Sequence, residues 1–231
     1  MKKIDKVVSY WYRNLSGDVG LAPGEEVFFP KLLELAKKSS KILEIGVGKG
    51  RMVNVLRNGG VISEFHGIDI TENVTDSETI GVIGDARALP YPDNTFDLVY
   101  SLGVIEHFPE TYESVLEQAR VVKKGGHVLI TTPHLSIFTP LRYLVYLIKD
   151  RRHGSFEEVK GRNIGLNTMK NIFINANLFI QDYGVFGIYG IGKVIRKLDP
   201  KFCRIQGNNF LQKIHQETYI GAYLYIIGKK Q

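Results

Sequence analysis

Cysteine is nearly absent: Cys203 stands alone in 231 residues. A lone thiol makes neither an internal disulfide nor a CxxC metal knuckle, so the sequence predicts no metal site, a fold held by its core, and a reducing, cytoplasmic home. Long apolar runs are missing too. The run from Tyr143 to Ile148 in the C-terminal half falls far short of the roughly 20 residues needed to cross a bilayer. The opening residues Met1, Lys2, Lys3, Ile4 and Asp5 turn polar at once, which predicts no secretory signal peptide. There is no internal repeat, low-complexity tract or Pro/Ser-rich linker, so residues 1–231 read as one domain. With 44% hydrophobic and 23% charged positions, the composition is that of an ordinary folded protein. A chain of this size buries roughly 70% of its unfolded surface and needs no covalent staple.

Charge is unevenly distributed. Residues 1–134 carry 15 Lys+Arg against 18 Asp+Glu, whereas residues 135–231 carry 15 against 6. A basic half beside an acidic one suits an anionic partner such as a phosphorylated substrate, a membrane surface or a nucleic acid; a solvated lysine-rich surface accounts for it equally well.

Short β-branched runs alternate with helical patterns in the first half. Lys41–Ile45, Glu64–Asp69, Ile80–Gly84, Phe96–Ser101 and Gly126–Thr132 read as strands, and Pro30–Lys38, Gly50–Arg57 and Glu110–Val122 as helices. Strands separated by helices imply right-handed crossovers in a parallel sheet. Such sheets bind ligands beyond the carboxyl ends of their strands.

Strand 1 is followed by Glu44-Ile45-Gly46-Val47-Gly48-Lys49-Gly50, where glycines permit a tight turn and close approach of a ligand to the backbone. It is not a phosphate-binding P-loop, because Gly48-Lys49 is followed by Gly50 and Leu43 stands where the leading glycine belongs. The dinucleotide GxGxxG pattern also fails, since Arg51 replaces its third glycine. Strand 2 ends at Asp69, placed to accept ribose hydroxyls, and strand 3 is followed by Asp85-Ala86, placed to meet an adenine amino group. Any one of these acids alone reads more readily as a turn cap; three at successive strand ends, Glu44, Asp69 and Asp85, point to a nucleoside.

These motifs resemble the class I S-adenosylmethionine (SAM) dependent methyltransferases, in particular the small-molecule group called the methyltransferase domain 11 family. The resemblance covers roughly residues 40–134 and rests on five motifs in order: the glycine turn, Gly67-Ile68-Asp69-Ile70, the stretch from Gly84 to Asp97, Leu102 to His107, and Val122-Lys123-Lys124-Gly125-Gly126. It implies an α/β, Rossmann-like, seven-stranded and mostly parallel sheet of order 3-2-1-4-5-7-6, with strand 7 antiparallel. Phe179–Phe186 and Tyr219–Ile227 then become strands 6 and 7, with Asn167–Ala176 the helix before them. It further implies that Glu44, Gly46, Val47, Gly48, Gly50, Asp69, Ile70, Asp85, Ala86, Ser101 and Leu102 line a site that takes SAM and releases S-adenosyl-L-homocysteine. Residues 1–39 become an N-terminal helical cap, 40–134 the SAM-binding core, and 135–231 the substrate side. Residues 71–78 and 86–95 are too short for full helices, so one side of the sheet should be thinly covered near the adenine.

In the second half, Thr139-Pro140 opens a helix running to about Lys149. Apolar residues on nearly every side imply burial against the core, a greasy substrate mouth or a membrane-surface contact. Phe186–Glu217 reads as a helical insertion between strands 6 and 7, with helices around Gly192–Leu198 and Asn209–Gln216. Tyr10, Trp11 and Tyr12 either close over SAM or pack a terminal helix. Methyl transfer is mostly positioning. Where a base is needed, His107 after strand 4 and His134 after strand 5 stand at the right edge, although each also suits a turn-ordering or loop role. The expected acceptor is a small or lipid-linked, hydrophobic or amphipathic molecule with an anionic part, taking the methyl group on oxygen, nitrogen or carbon. RNA is disfavoured: the turn after strand 4, Ser101-Leu102-Gly103-Val104, lacks the Asn/Asp-Pro-Pro-aromatic motif of amino-adenine methylases, and Cys203 is far from the strand ends. A non-catalytic SAM-binding module predicts a damaged cofactor motif, and none is damaged.

Overall fold

A computed structural model describes residues 20–22, 24–137, 139–187 and 221–231. The expectations for Tyr10, Trp11, Tyr12, Cys203 and the two insertion helices lie outside the described residues.

Seven strands form one sheet: β1 (Lys41–Ile45), β2 (Glu64–Asp69), β3 (Ile80–Ile83), β4 (Phe96–Leu102), β5 (Val122–Pro133), β6 (Leu178–Phe186) and β7 (Tyr223–Lys230), in the order β3-β2-β1-β4-β5-β7-β6. The first five pair in parallel, and β7 runs antiparallel to both neighbours. This is the Rossmann-like sheet that the motifs implied. The central strands are apolar on both faces because helices cover both. On one face α1 (Phe29–Lys37) and α2 (Arg51–Asn58) bury Leu32, Ala36, Met52, Val53 and Leu56 against Ile42, Leu98 and Tyr225. On the other, α3 (Thr111–Val121) and a later helix, Leu166–Asn175, bury Val115, Ala119, Met169 and Phe173 against Leu43, Val99 and Ile130. Between them in sequence lie α4 (Thr139–Lys149) and α5 (Phe156–Lys160), so Leu166–Asn175 is α6.

Most boundaries move by a residue or two. β5 and β7 are the exceptions. β5 starts four residues before the expected Gly126: Val122 pairs with Phe96, and a register shift before Leu98 absorbs the extra residues of the Lys123–Gly126 stretch. β7 starts at Tyr223 rather than Tyr219 and ends at Lys230 rather than Ile227. Helix α5 was not anticipated, although Ser155 and Glu158 form a complete capping box at its start. At the opposite edge, β3 leaves Ile80 and Ile83 about half exposed. Only a 3₁₀ turn, Glu72–Asp76, stands between β2 and β3, and residues 86–95 form no helix. The thin cover expected on that side is present.

Candidate functional site

The carboxyl ends of β1, β2 and β4 meet at the glycine turn. Gly46, Gly48 and Gly50 have φ of 71°, 52° and 77°, a left-handed run that side chains resist. A Cβ at Gly46 would lie 2.4 Å from Val104 Cγ2, and one at Gly50 would lie 2.3 Å from the Ser77 carbonyl oxygen. The protein itself therefore demands these glycines. Replacing Gly46 by valine would disturb the turn as well as any ligand, so that substitution does not isolate binding. The turn's amides are also committed: Gly46 and Val47 donate to the Ile68 carbonyl, and Gly48 donates to Asp69 Oδ2 at 2.9 Å. What the turn offers a ligand is room, with Val47 buried beneath it.

Asp69, at the end of β2, organises this corner. Its Oδ1 accepts from the Thr71 amide and hydroxyl at 2.9 and 2.8 Å, and its Oδ2 accepts from Gly48. A carboxylate has about four acceptor positions. Three are filled, leaving one on Oδ2 for a hydroxyl. Ile70 beside it is 64% exposed, an apolar surface suited to a base. Asn73, two residues beyond Thr71, is buried with neither amide atom hydrogen-bonded among the described residues. Ser101, fully buried opposite Ile45 at the end of β4, has a hydroxyl without a partner there. Leu102 after it is half-buried and Ala86 is buried.

Glu44 is set deeper than a ligand-facing acid would be. It is 4% exposed, and Tyr100 donates its hydroxyl to Oε2 at 2.8 Å. Burial pushes its carboxyl up to about 8 and holds the Tyr100 phenol well above its ordinary range. Arg51, which broke the dinucleotide pattern, grips Glu25 with both Nη atoms at 2.7 and 2.5 Å and also donates to the Gly20 carbonyl. It thereby fastens the segment around residues 20–27 to the start of α2.

Asp85 is engaged rather than open. Arg87 donates Nε and Nη2 to its carboxylate at 2.9 and 2.6 Å, holding it below the usual carboxylate range, and reaches Glu110 as well. An adenine amino group would have to share that carboxylate.

The two histidines differ. His107, in the 3₁₀ turn Ile105–His107 after β4, is pushed down to about 4 by burial. A base that weak transfers protons poorly at neutral pH. His134, just past β5, is buried, forms an isolated bridge with Ile164, and places Nδ1 3.3 Å from the Ile164 carbonyl. A carbonyl only accepts, so Nδ1 carries the proton and Nε2 the lone pair.

Beside His134 lies a cleft of about 570 Å³, walled by Tyr112, Leu135, Phe156, Arg162, Ile164 and Thr168 among others. Arg162, one of its walls, packs against a buried acid. Glu106 is 3% exposed, and burial pushes its carboxyl up to about 8 although Arg142 and Arg162 counter it. Arg162 donates Nη2 to the Phe108 carbonyl and Thr111 Oγ1, and its amide donates to the Glu106 carbonyl. A Cβ at Gly161, φ 72°, would meet Glu106 Cγ at 2.2 Å, so the chain crosses this turn at closest approach. Among the described residues, no group of His, Cys, Asp and Glu is arranged to hold a metal, and no helix is long and apolar enough to cross a membrane.

Residues 43–130 match the family model described as a methyltransferase domain. The chain is 34% identical over 113 residues to phosphoethanolamine N-methyltransferase 2 of Caenorhabditis elegans, covering 41% of this chain and 24% of that protein. It is 31% identical over 105 residues to a phosphatidylethanolamine N-methyltransferase of Cereibacter sphaeroides, covering 40% and 50%. The chain thus spans half or less of the length of these curated relatives. Among solved structures, an S-adenosylmethionine dependent methyltransferase from Mesorhizobium loti superposes with a TM-score of 0.62 at 16% identity, covering 88% of this chain and 98% of that one.

Proposed function

We propose, from the premise that residues 43–130 are a class I methyltransferase domain using SAM, that this chain transfers a methyl group to a small or lipid-linked amphipathic acceptor bearing an anionic part. The observation that carries the cofactor half is the corner at β1 and β2: a left-handed glycine turn pinned to Asp69, with one carboxylate position still open and the buried Ser101 hydroxyl beside it. Those residues fit a nucleoside joined to an amino-acid chain. Asp69 Oδ2 would accept from the ribose, Ile70 would cover the base, Asp85 would share its carboxylate with the adenine amino group, and Ser101 would meet the amino-acid end. When bound, SAM supplies an electrophilic methyl carbon on a sulfonium.

The chain's own contribution is then to hold an acceptor in line and take its proton if it has one to lose. His134 is assigned that proton, because its Nδ1–H is directed at the Ile164 carbonyl and its basic nitrogen is Nε2. His107 is assigned to ordering the turn after β4. For the acceptor, the cleft beside His134 combines apolar walls, Leu135, Phe156 and Ile164, with the guanidinium of Arg162. The names of the two curated relatives, one acting on phosphoethanolamine and the other on phosphatidylethanolamine, support a phosphate-bearing acceptor. The basic excess of residues 135–231 agrees with it.

The test is methyl transfer from radiolabelled SAM into separate pools of lipids, small phosphorylated metabolites and RNA. Incorporation into the lipid or small-molecule pool, reduced in His134→Ala, is expected. Incorporation confined to RNA, or none alongside undetectable SAM binding, refutes the reading.

A further inference from the structure

The polarity of α4 is inside out. Its buried side carries Arg142, 2% exposed, whose guanidinium donates to Asn163 Oδ1 and the Lys160 carbonyl and lies 5.6 and 5.8 Å from the rings of Phe156 and Tyr223. Tyr146, one turn on, is 8% exposed and donates its hydroxyl to the Gly154 carbonyl at 2.8 Å. On the opposite side stand Tyr143, Leu144, Leu147 and Ile148, at 49%, 51%, 38% and 72% exposure. At about 100° per residue these four fall within one arc of the helix. Leu135 and Ile137, on the approach to the helix, are 60% and 71% exposed. A helix selected for water would turn its arginine out and its leucines in. Here the arginine fastens the helix to α5 and β7, and the aliphatic row is left facing outward.

The charges around the row tell which kind of partner fits. Lys149, Arg151 and Arg152 are exposed at its C-terminal end. Residues 135–155 contain one acid, Asp150, and its carboxylate is 2.7 Å from Lys160 Nζ. The face is thus aliphatic, carries a tyrosine, and is bordered by cations whose neighbouring acid is neutralised by an ion pair. A protein partner would have to match three clustered cations beside an apolar row. A nucleic acid would find its phosphates met at one end only, with aliphatic rather than planar side chains elsewhere. An anionic lipid surface satisfies both: headgroups meet the cations while leucine and isoleucine enter the acyl boundary and tyrosine stays at the polar level.

We infer that α4 is a membrane-docking helix, seating the protein on anionic lipid through Leu144, Leu147 and Ile148 with Lys149, Arg151 and Arg152 as the electrostatic rim. The docking stands on the helix alone and does not require the methyl-transfer reading. A further consequence does rest on that reading: Leu135, exposed on the approach to the helix, also walls the cleft beside His134, so an acceptor held in the lipid surface would meet an apolar side chain at the site's mouth.

Sedimentation of the full chain with vesicles tests the docking, comparing phosphatidylcholine alone with equal parts phosphatidylcholine and phosphatidylglycerol, each at low and high salt. Binding to the mixed vesicles is expected, weaker by about tenfold on the neutral ones and weakened by salt. Leu144→Glu/Ile148→Glu and, separately, Arg151→Glu/Arg152→Glu should each lower partitioning by about tenfold or more, with unchanged circular dichroism and SAM affinity, because all four positions lie away from the cofactor corner. Docking is overturned if the unmodified protein ignores the mixed vesicles, or if the double glutamate variant of the aliphatic row binds them as well. It is also overturned if the protein is a dimer without lipid that this variant splits into monomers, which assigns the face to a second copy. Vesicle binding that persists in a protein unable to bind SAM supports docking and refutes the methyl-transfer reading instead.

Discussion

Asp69→Asn separates the cofactor corner's two tasks, because it changes one charge and almost no volume. In the native corner the carboxylate receives three hydrogen bonds, at 2.8 to 2.9 Å, from Gly48 N, Thr71 N and Thr71 Oγ1, and holds one acceptor position in reserve. An asparagine keeps a single acceptor oxygen. If that oxygen faces Thr71, the side-chain NH₂ meets the Gly48 N–H; if it faces Gly48, the NH₂ meets the Thr71 N–H. Either way one backbone donor loses a charge-assisted partner, worth about 1.5–3 kcal/mol, and the reserve position is lost or weakened. Urea denaturation should therefore show the variant less stable by about 1.5–3 kcal/mol. Calorimetric titration with SAM, at a temperature where the variant is fully folded, should show affinity reduced roughly ten- to a hundredfold. Thr71→Val is the control: it removes only the hydroxyl donor and keeps the charge, so SAM affinity should change by no more than about threefold. A folded Asp69→Asn protein that binds SAM as tightly as the parent would show that the ribose is held elsewhere.

Two other perturbations read off the same geometry. Gly50→Ala places a Cβ 2.3 Å from a backbone oxygen at φ 77°, whereas Gly60→Ala, at φ 85°, meets nothing within 4 Å; thermal melts should show a loss of about 1 kcal/mol for Gly60→Ala and severalfold more, or no folding, for Gly50→Ala. His107, held at about 4 in the fold against 6.5 ordinarily, leaves the unfolded chain binding more protons between those values; stability present above pH 6.5 should fall by about 3 kcal/mol as pH drops toward 4. In His107→Gln that part of the acid limb should flatten in denaturation curves recorded across the range, and an unchanged limb would show that the imidazole is not buried neutral.

The strands β1, β2 and β4 were legible because parallel strands covered on both faces appear as apolar runs ending in turn residues. The order of the outer strands was not: nothing local to Leu178–Phe186 or Tyr223–Lys230 says which pairs with β5, and that came from the resemblance. The start of β5 was hidden by Lys123, Lys124, Gly125 and Gly126, which look like a loop and lie in the register irregularity between the Phe96–Val122 and Leu98–His127 pairs. At the site, Asp69 and the glycine turn stand where their spacing put them, but the internal commitments of the turn's amides and of Asp85 depend on Ile68 and Arg87. Arg142, Arg162 and Glu106 escaped notice for a general reason. Burial of a charge depends on partners distant in sequence, here Asn163 for Arg142, the Phe108 carbonyl for Arg162 and those two arginines for Glu106, and the usual rule places charges outside.

The antiparallel β7 has a consequence for how the protein is made. It is synthesised after β6 yet lies between β5 and β6, paired with both along most of its length. Until residues 223–230 leave the ribosome, β5 lacks the described strand that covers its apolar edge from Val128 to Ile130, and β6 lacks the one strand it pairs with among the described residues. A nascent chain stalled at that stage holds a half-built sheet whose free edge can recruit another chain's strand. The sheet closes when its late strand pairs with β5 and brings β6 in beside it, so productive folding is a race between translation of β7 and capture of that edge.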